Sequence, residues 1–341
     1  MKKKVFIGID FSKLTIDVSV LEIWNPEKMT HSQFENNSKG FKKMLKWIKQ
    51  ITREPEPTWL FCGEHTGIYV INLVSFLKGK SITIWLESAL RIKGSQGLCR
   101  GKDDKTDSKR IAMYAYRFRD RAKEYILPLP VITNLQDLMA YRERLKNMRH
   151  ALKVSSKELG KAKSLDPIAG YIYEGSLENI KSINKQIKEI EQKILSLIKG
   201  HEELKKNYQI ITSIKGIAFV NAVTIIIATN NFNWFDDARQ FACHSGSAPF
   251  KHQTGTSVKH GDKVSHLANK KIKKYLTLAA SSAMQYNAQF KAYYQRKAAE
   301  GKEHFLIINN IRNKLIHLIF ALIRTGNKYE ENYCNTLKTA C

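Results

Sequence analysis

Four carboxylates occupy positions from which an acid could do chemistry. Asp10 is the first charge after the apolar run Val5–Ile9. Glu64 follows the run Thr58–Cys62, with Gly63 and Gly67 leaving room beside it. Asp104 and Asp107 stand three residues apart at the start of a helical stretch and so share one helix face. Taken singly, each has an ordinary explanation: a turn acid for Asp10, and acids favoured by a helix N-terminus for the last two. Taken together, one strand, a second strand end and one helix face could bring four carboxylates onto a pair of Mg2+ ions. Hard divalent cations take oxygen ligands. Two of them, roughly 4 Å apart, can activate an attacking oxygen and stabilise a leaving one.

The acids need a sheet to hold them, and the chain has the pattern of one. Val5, Ile7 and Ile9 alternate with Phe6 and Gly8, so the first run is apolar on both faces, as in a central strand. A second β-rich run, Leu14–Leu21, follows closely and reads as a hairpin partner. After a more polar piece around Thr30–Asn36, the spacing of Phe41, Met44, Leu45, Ile48 and Ile51 predicts a helix over Lys39–Thr52. A strand at Thr58–Cys62, a helix over Gly67–Lys80, a strand at Ser81–Leu86 and a helix over Asp104–Phe118 complete an α/β unit. Residues 91–109 carry Arg91, Lys93, Arg100, Lys102 and Lys105 among glycines and read as a basic loop.

Pro128 and Pro130 mark a boundary. Two long helices follow, and Ile180, Ile183, Ile187, Ile190, Ile194 and Leu197 step by three and four, the seam of a coiled coil or helical hairpin. The turn between them is expected around Ser164–Gly175. Ile210–Ala218 and the apolar Phe219–Ala228 resemble half of a helix-hairpin-helix, in which a tight glycine turn offers N–H groups to a phosphate. Residues 239–275 read as a polar, Gly-rich loop with Lys270, Lys271, Lys273 and Lys274 opening the next helix. A helical tail runs to about Asn327.

Charge narrows the partner. Lys and Arg total 57 against 31 Asp and Glu, a net charge of +26. Such an excess repels itself unless a polyanion neutralises it, and phosphate backbones are the usual polyanion. The lysines are spread along the chain, unlike the single basic amphipathic segment of a membrane-surface protein. No apolar run is expected to reach the roughly 18 residues that span a bilayer. Five cysteines without CxxC spacing argue for a reducing compartment and against a zinc site. A cytoplasmic, nucleoid-associated protein is expected.

Three segments carry a family resemblance. Gly8-Ile9-Asp10-Phe11-Ser12-Lys13, Glu64-His65-Thr66-Gly67-Ile68-Tyr69 and Asp104-Lys105-Thr106-Asp107-Ser108-Lys109-Arg110-Ile111-Ala112 resemble the signatures of the insertion-sequence one-ten family of transposases. That family includes the Piv-type DNA invertases, and Ser213–Ala280 resembles its second domain. The resemblance implies an α/β RNase H-like (RuvC-like) N-terminal domain over 1–125, whose Asp-Glu-Asp-Asp set, here Asp10, Glu64, Asp104 and Asp107, binds Mg2+. It further implies a dimerising helical coiled-coil linker over 126–205 and a mostly α-helical C-terminal transposase domain over 206–330, with a tail at 331–341. The implied activity is transposition or DNA recombination by a tetramer, through a covalent protein–DNA intermediate and a Holliday-junction-like exchange. Many members are guided by a structured bridge RNA that pairs with donor and target DNA.

The nucleophile departs from the family pattern. Relatives place a serine just before the glycine of the loop that here reads Lys251-His252-Gln253-Thr254-Gly255-Thr256-Ser257. Thr254 keeps a hydroxyl there, though its β-methyl hinders attack on phosphorus. Ser257 is unhindered and lies two residues beyond Gly255. Either could serve, or the copy could be degenerate. Two other readings stand beside the recombinase: a RuvC-like junction nuclease using only the acids and water, and a non-enzymatic nucleic-acid-binding scaffold.

Overall fold

The computed structural model describes residues 2–95, 104–162, 166–254, 258–265 and 267–331. They fall into two compact units, Met1–Leu127 and Pro128–Cys341.

The first unit is an α/β layer structure built on β1 (Val5–Phe11), β2 (Thr15–Glu22), β3 (Asn25–Glu35), β4 (Trp59–Glu64) and β5 (Ile84–Glu87). Their order across the sheet is β3-β2-β1-β4-β5. β1–β2 and β2–β3 are antiparallel, whereas β4 and β5 run parallel to β1. Successive side chains leave a strand on opposite sides, and here each side has its own cover. Val5, Ile7, Ile9, Trp59 and Phe61 pack with Phe41, Met44, Leu45 and Ile48 of α1 (Ser38–Ile51) and Leu73, Val74 and Leu77 of α2 (Ile71–Lys78). Phe6, Leu21, Leu60, Cys62 and Trp85 face Ile92 of α3 (Ala89–Gly94) and Ile111, Ala112 and Ala115 of α4 (Asp104–Arg117). The alternation at β1 thus meets a core on both faces, as its apolar sequence requires.

Two local expectations change. The polar piece after β2 is the eleven-residue edge strand β3. The start of the expected basic loop, 91–109, belongs to the short helix α3 and its end to α4; 96–103 lies outside the described residues.

The second unit is mostly helical. Its helices α5 (Pro130–Ala162) and α6 (Pro167–Lys199) form a hairpin of two 33-residue arms. Ile180, Ile183, Ile187, Ile190 and Ile194 are buried on α6, so the three-and-four spacing is the packed face; at its end Ile198 is buried and the expected Leu197 only half-buried. The second arm begins earlier than expected, at Pro167. Asp166 caps α6, accepting from the Ile168 amide at 2.9 Å, and Pro167 sits at the first helical position. Gly170 and Gly175 therefore lie inside the helix.

Helices α7 (Glu202–Thr212) and α8 (Phe219–Thr229) are joined by a turn in which Gly216 takes φ +99°. A Cβ there would come 2.5 Å from the backbone of Ala283. The glycine is required by close packing. After α9 (Ala238–His244), the expected Gly-rich loop is an antiparallel hairpin, β6 (Pro249–Thr254) and β7 (Val258–Val264). Then come α10 (Lys270–Tyr286), α11 (Ala288–Ala299) and α12 (His304–Thr325). By length and composition α12 could cross a membrane, contrary to the expectation that no stretch qualifies. Its Ile307, Ile308, Ile311, Leu315, Ile316 and Ile319 are buried in the core of the unit.

Candidate active site

Strand alternation decides where the first two acids point. Phe6 and Gly8 face α4, so Asp10, two residues on, does too. Leu60 and Cys62 face α4, so Glu64 follows them. Parallel pairing of Ile9 with Gly63 then sets Asp10 and Glu64 side by side at the C-terminal ends of neighbouring central strands, the usual place for a site in an α/β sheet.

The other two acids arrive on α4, whose position rests on two contacts. At Gly8 the helix backbone lies directly on the strand: a Cβ on Gly8 would sit 2.2 Å from both the Ala112 nitrogen and the Ser108 oxygen. Beside it, the Ser19 and Ser108 hydroxyls are buried and 2.8 Å apart, and Ser108 Oγ also donates to the Lys105 carbonyl at 2.9 Å. With α4 so placed, its first turn carries Asp104 and Asp107 to the acid end of β1.

The electrostatics record the meeting. The Asp10 carboxyl is pushed up to about 6, by burial first and then by the charges of Asp104, Asp107, Glu64 and Asp17. Among the described residues no hydrogen bond reaches the carboxylates of Asp10, Glu64 or Asp104, whereas Asp107 is held by Arg110 at 2.8 Å. Also among the described residues, no three acid, histidine or cysteine side chains are close enough to grip one ion as they stand. The two observations agree, because Coulomb repulsion reaches further than a metal–ligand bond. Four carboxylates share a neighbourhood without converging on a point. Their donor chemistry, all oxygen and strongly anionic, fits a hard divalent cation.

The sheet brings in two acids that the sequence reading did not single out. Asp17 pairs in register with Asp10, and Glu87 with Glu64, so Asp17, Asp10, Glu64 and Glu87 form a row across the α4 face. The outer two are already occupied. Buried Asp17 accepts from Gln33 Nε2 at 2.9 Å and lies 2.8 Å from His31 Nε2, both on β3. Glu87 accepts from the Ser88 amide at 2.8 Å, and from Tyr114 Oη and Arg91 at longer range. Burial, then the charge of Glu87, pushes the Tyr114 hydroxyl up to about 12. The signal for Glu87 was available: like Glu64, it is an acid ending an apolar strand.

The hydroxyl candidates belong to the second unit. Thr254 ends β6 and is paired in register with Val258, the first residue of β7. Ser257 lies outside the described residues, between the two strands.

Comparison with known proteins addresses the family. Residues 7–159 match the DEDD-type IS110 profile, described as a transposase, and residues 208–295 match the profile described as the transposase IS116/IS110/IS902 family. The pilin gene-inverting proteins of Moraxella bovis and Moraxella lacunata are each 27% identical over 335 residues, covering 96% of this chain and 98% of theirs. The "Insertion element IS110 uncharacterized 43.6 kDa protein" of Streptomyces coelicolor is 26% identical over 152 residues, 45% of this chain and 36% of that one. These matches identify an enzyme of the DNA transposase and recombinase class. Within that class, the chain belongs to the IS110 family of transposases.

Proposed function

We propose that this transposase cuts and rejoins DNA strands of a mobile element, using Asp10, Glu64, Asp104 and Asp107 as Mg2+ ligands and a hydroxyl of the β6–β7 hairpin as nucleophile. The observation that carries the reading is Asp10, a half-buried carboxylate raised by burial and then by the charges of Asp104, Asp107, Glu64 and Asp17, in a chain of net charge +26. Repulsion of that kind is costly without a cation, and a cation there would meet a phosphodiester. The sheet order 3-2-1-4-5, with acids at the ends of β1 and β4, supports an RNase H-type, RuvC-like domain.

The residues divide the work. Asp10 and Glu64 present carboxylates from the sheet, and Asp104 and Asp107 present theirs from α4. Arg110 holds Asp107 in one orientation. When bound, Mg2+ would polarise the phosphodiester and stabilise the leaving oxygen. Thr254 or Ser257 would attack phosphorus, forming the protein–DNA ester and releasing a strand end, and the reverse attack would rejoin it. Thr254 ends β6 and Ser257 immediately precedes β7 in sequence, so both candidates belong to one hairpin segment. The proposal includes a structured bridge RNA as guide, a dimerising α5–α6 hairpin, tetrameric assembly and a cytoplasmic location, all from the family reading.

The test is a suicide DNA substrate. A covalent protein–DNA species should form with Mg2+, disappear in either Thr254→Ala or Ser257→Ala, and disappear in both Asp10→Ala and Glu64→Ala. Cleavage that persists without a covalent species would favour a water-using junction nuclease. Cleavage intact in both acid variants would sink both enzyme readings. Sequencing RNA bound to protein co-expressed with its flanking DNA tests the guide, and random cellular RNA alone would remove it.

A further inference from the structure

Of the two buried arginines among the described residues, one has its acid. Arg142 of α5 is buried against Glu191 of α6 at 2.7 Å, and Lys274 of α10 meets Glu143 at 3.4 Å. Arg312 is the exception. It is only 6% exposed, yet among the described residues its partners are neutral: the Thr277 hydroxyl at 3.0 Å and the Asn309 amide oxygen. Its Nε–H is buried with no partner among the described residues. Lys273, one turn before Thr277 on α10, is the neighbouring cation. Its ammonium is pushed down by burial and then by the Arg312 charge, and no described acid pairs with it.

The location of this pair is specific. Asn309 donates to the Ser247 carbonyl at 3.3 Å, tying α12 to the segment that enters β6. In that segment Gly246 takes φ +66°, and a Cβ on it would lie 2.4 Å from Ala268 and 3.6 Å from the Lys273 stem. Gly246 precedes β6 and Ala268 follows β7, so Lys273 passes the foot of the hairpin. Lys270 and Lys271, both exposed, extend the positive surface along the first turn of α10. Two partly desolvated like charges without a counter-charge are costly in the free protein. An anion that reaches them relieves the cost.

We propose that Lys273 and Arg312 form a subsite for a nucleic-acid backbone phosphate at the foot of the β6–β7 hairpin, Lys273 donating to the phosphate and Arg312 adding charge from beneath. This rests on the reading of the chain as an enzyme acting on DNA, and it deepens that reading. Six residues of β6 separate foot from turn, about 17 Å at strand rise. The phosphate held at the foot is therefore a different one from the phosphate at the turn, and the pair sets where along a strand the hairpin stands.

The experiment uses the full chain with a mixed-sequence 30-base-pair duplex and, separately, a single-stranded RNA of equal length, each titrated at several salt concentrations. Lys273→Gln should weaken binding roughly three- to tenfold, equally on unrelated sequences, and flatten the slope of log affinity against log salt by about 1. Its Tm should hold or rise, because a like-charge contact is removed. Arg312→Met should weaken binding in the same way, and Lys297→Gln, whose ammonium already meets Glu300, should leave affinity and slope unchanged. A loss confined to the RNA arm assigns the phosphate to RNA and keeps the subsite. Wild-type affinity and slope in Lys273→Gln, or a loss that only follows a fall in Tm, overturns the subsite while the wild type still binds DNA. A wild-type chain that binds neither polymer overturns the DNA reading together with it.

Discussion

The Ser19 hydroxyl of β2 and the Ser108 hydroxyl of α4 lie 2.8 Å apart in a fully buried contact. The pair links sheet to helix one turn beyond Asp104, so it fixes how far along the sheet the helical acids come. Its two members are unequal. Ser108 Oγ has a second partner in the Lys105 carbonyl, whereas Ser19 has Ser108. Ser108→Ala should therefore cost about 1–3 kcal/mol, by stranding a buried hydroxyl, and Ser19→Ala less. The double variant should cost less than the sum. Urea denaturation of the three variants measures this, and equal costs for the two single changes would refute the asymmetry.

Gly8→Ala is a harsher change at the same interface. The new methyl would meet the α4 backbone at 2.2 Å, where no rotamer can yield. Overpacking against backbone should destabilise by about 3 kcal/mol or more, and strand cleavage should vanish even where the protein folds. Gly175→Ala is the contrast. It lies within α6 with nothing within 4 Å of its Cβ position. Helix propensity alone should then stabilise by about 0.5–1 kcal/mol. Thermal melts of both variants test the pair.

Asp10 makes stability depend on pH in a defined direction. Its folded value of about 6 lies above the ordinary 3.8, so the folded state holds this proton more tightly than the unfolded state. Wild-type stability should fall as pH rises from about 4 to about 6, then level off. Asp10→Asn escapes that loss. It should match the wild type near pH 4 and exceed it above pH 6, by roughly 1–3 kcal/mol once partial exposure is allowed for. Added Mg2+ should raise the wild-type Tm at pH 7.5 and raise that of Asp10→Asn much less. A variant less stable than wild type at pH 7.5 would contradict the repulsion.

Glu191→Gln probes the helical hairpin. Glu191 answers Arg142, one of whose terminal nitrogens is already buried without a partner among the described residues. Loss of the carboxylate should destabilise by about 2 kcal/mol, a figure reduced for the partial exposure of Glu191. Chemical denaturation followed by helical circular dichroism provides the check.

Much of the first unit was legible in its apolar alternation. Val5–Ile9 announced a strand covered on both faces, and acids at strand ends pointed to the candidate site. β3 was not legible, because an edge strand has few apolar residues to show. Its His31 and Gln33 are polar because they serve buried Asp17, a relationship visible only once β2 and β3 are paired. Asp17 was missed for the same reason. The β6–β7 hairpin was hidden by its Gly- and Lys-rich composition, which strands usually avoid. Arg312 was unremarkable in sequence; its lack of an acid is a tertiary fact. The heptad spacing on α6 was readable, but the glycines after Pro167 suggested a later start to that helix than the Asp166 cap sets.

Glu64 owes its direction to counting. Lys3 donates to the Pro57 and Trp59 carbonyls and pins the entry of β4, and from Trp59 onward odd positions face α1 and α2 while even positions face α4. Removing one residue between Trp59 and Gly63 would leave a strand of much the same composition and turn Glu64 to the wrong side of the sheet. The length of β4 is thus heritable information in its own right. A lineage can change most letters of this strand and keep the site, but it cannot change their number.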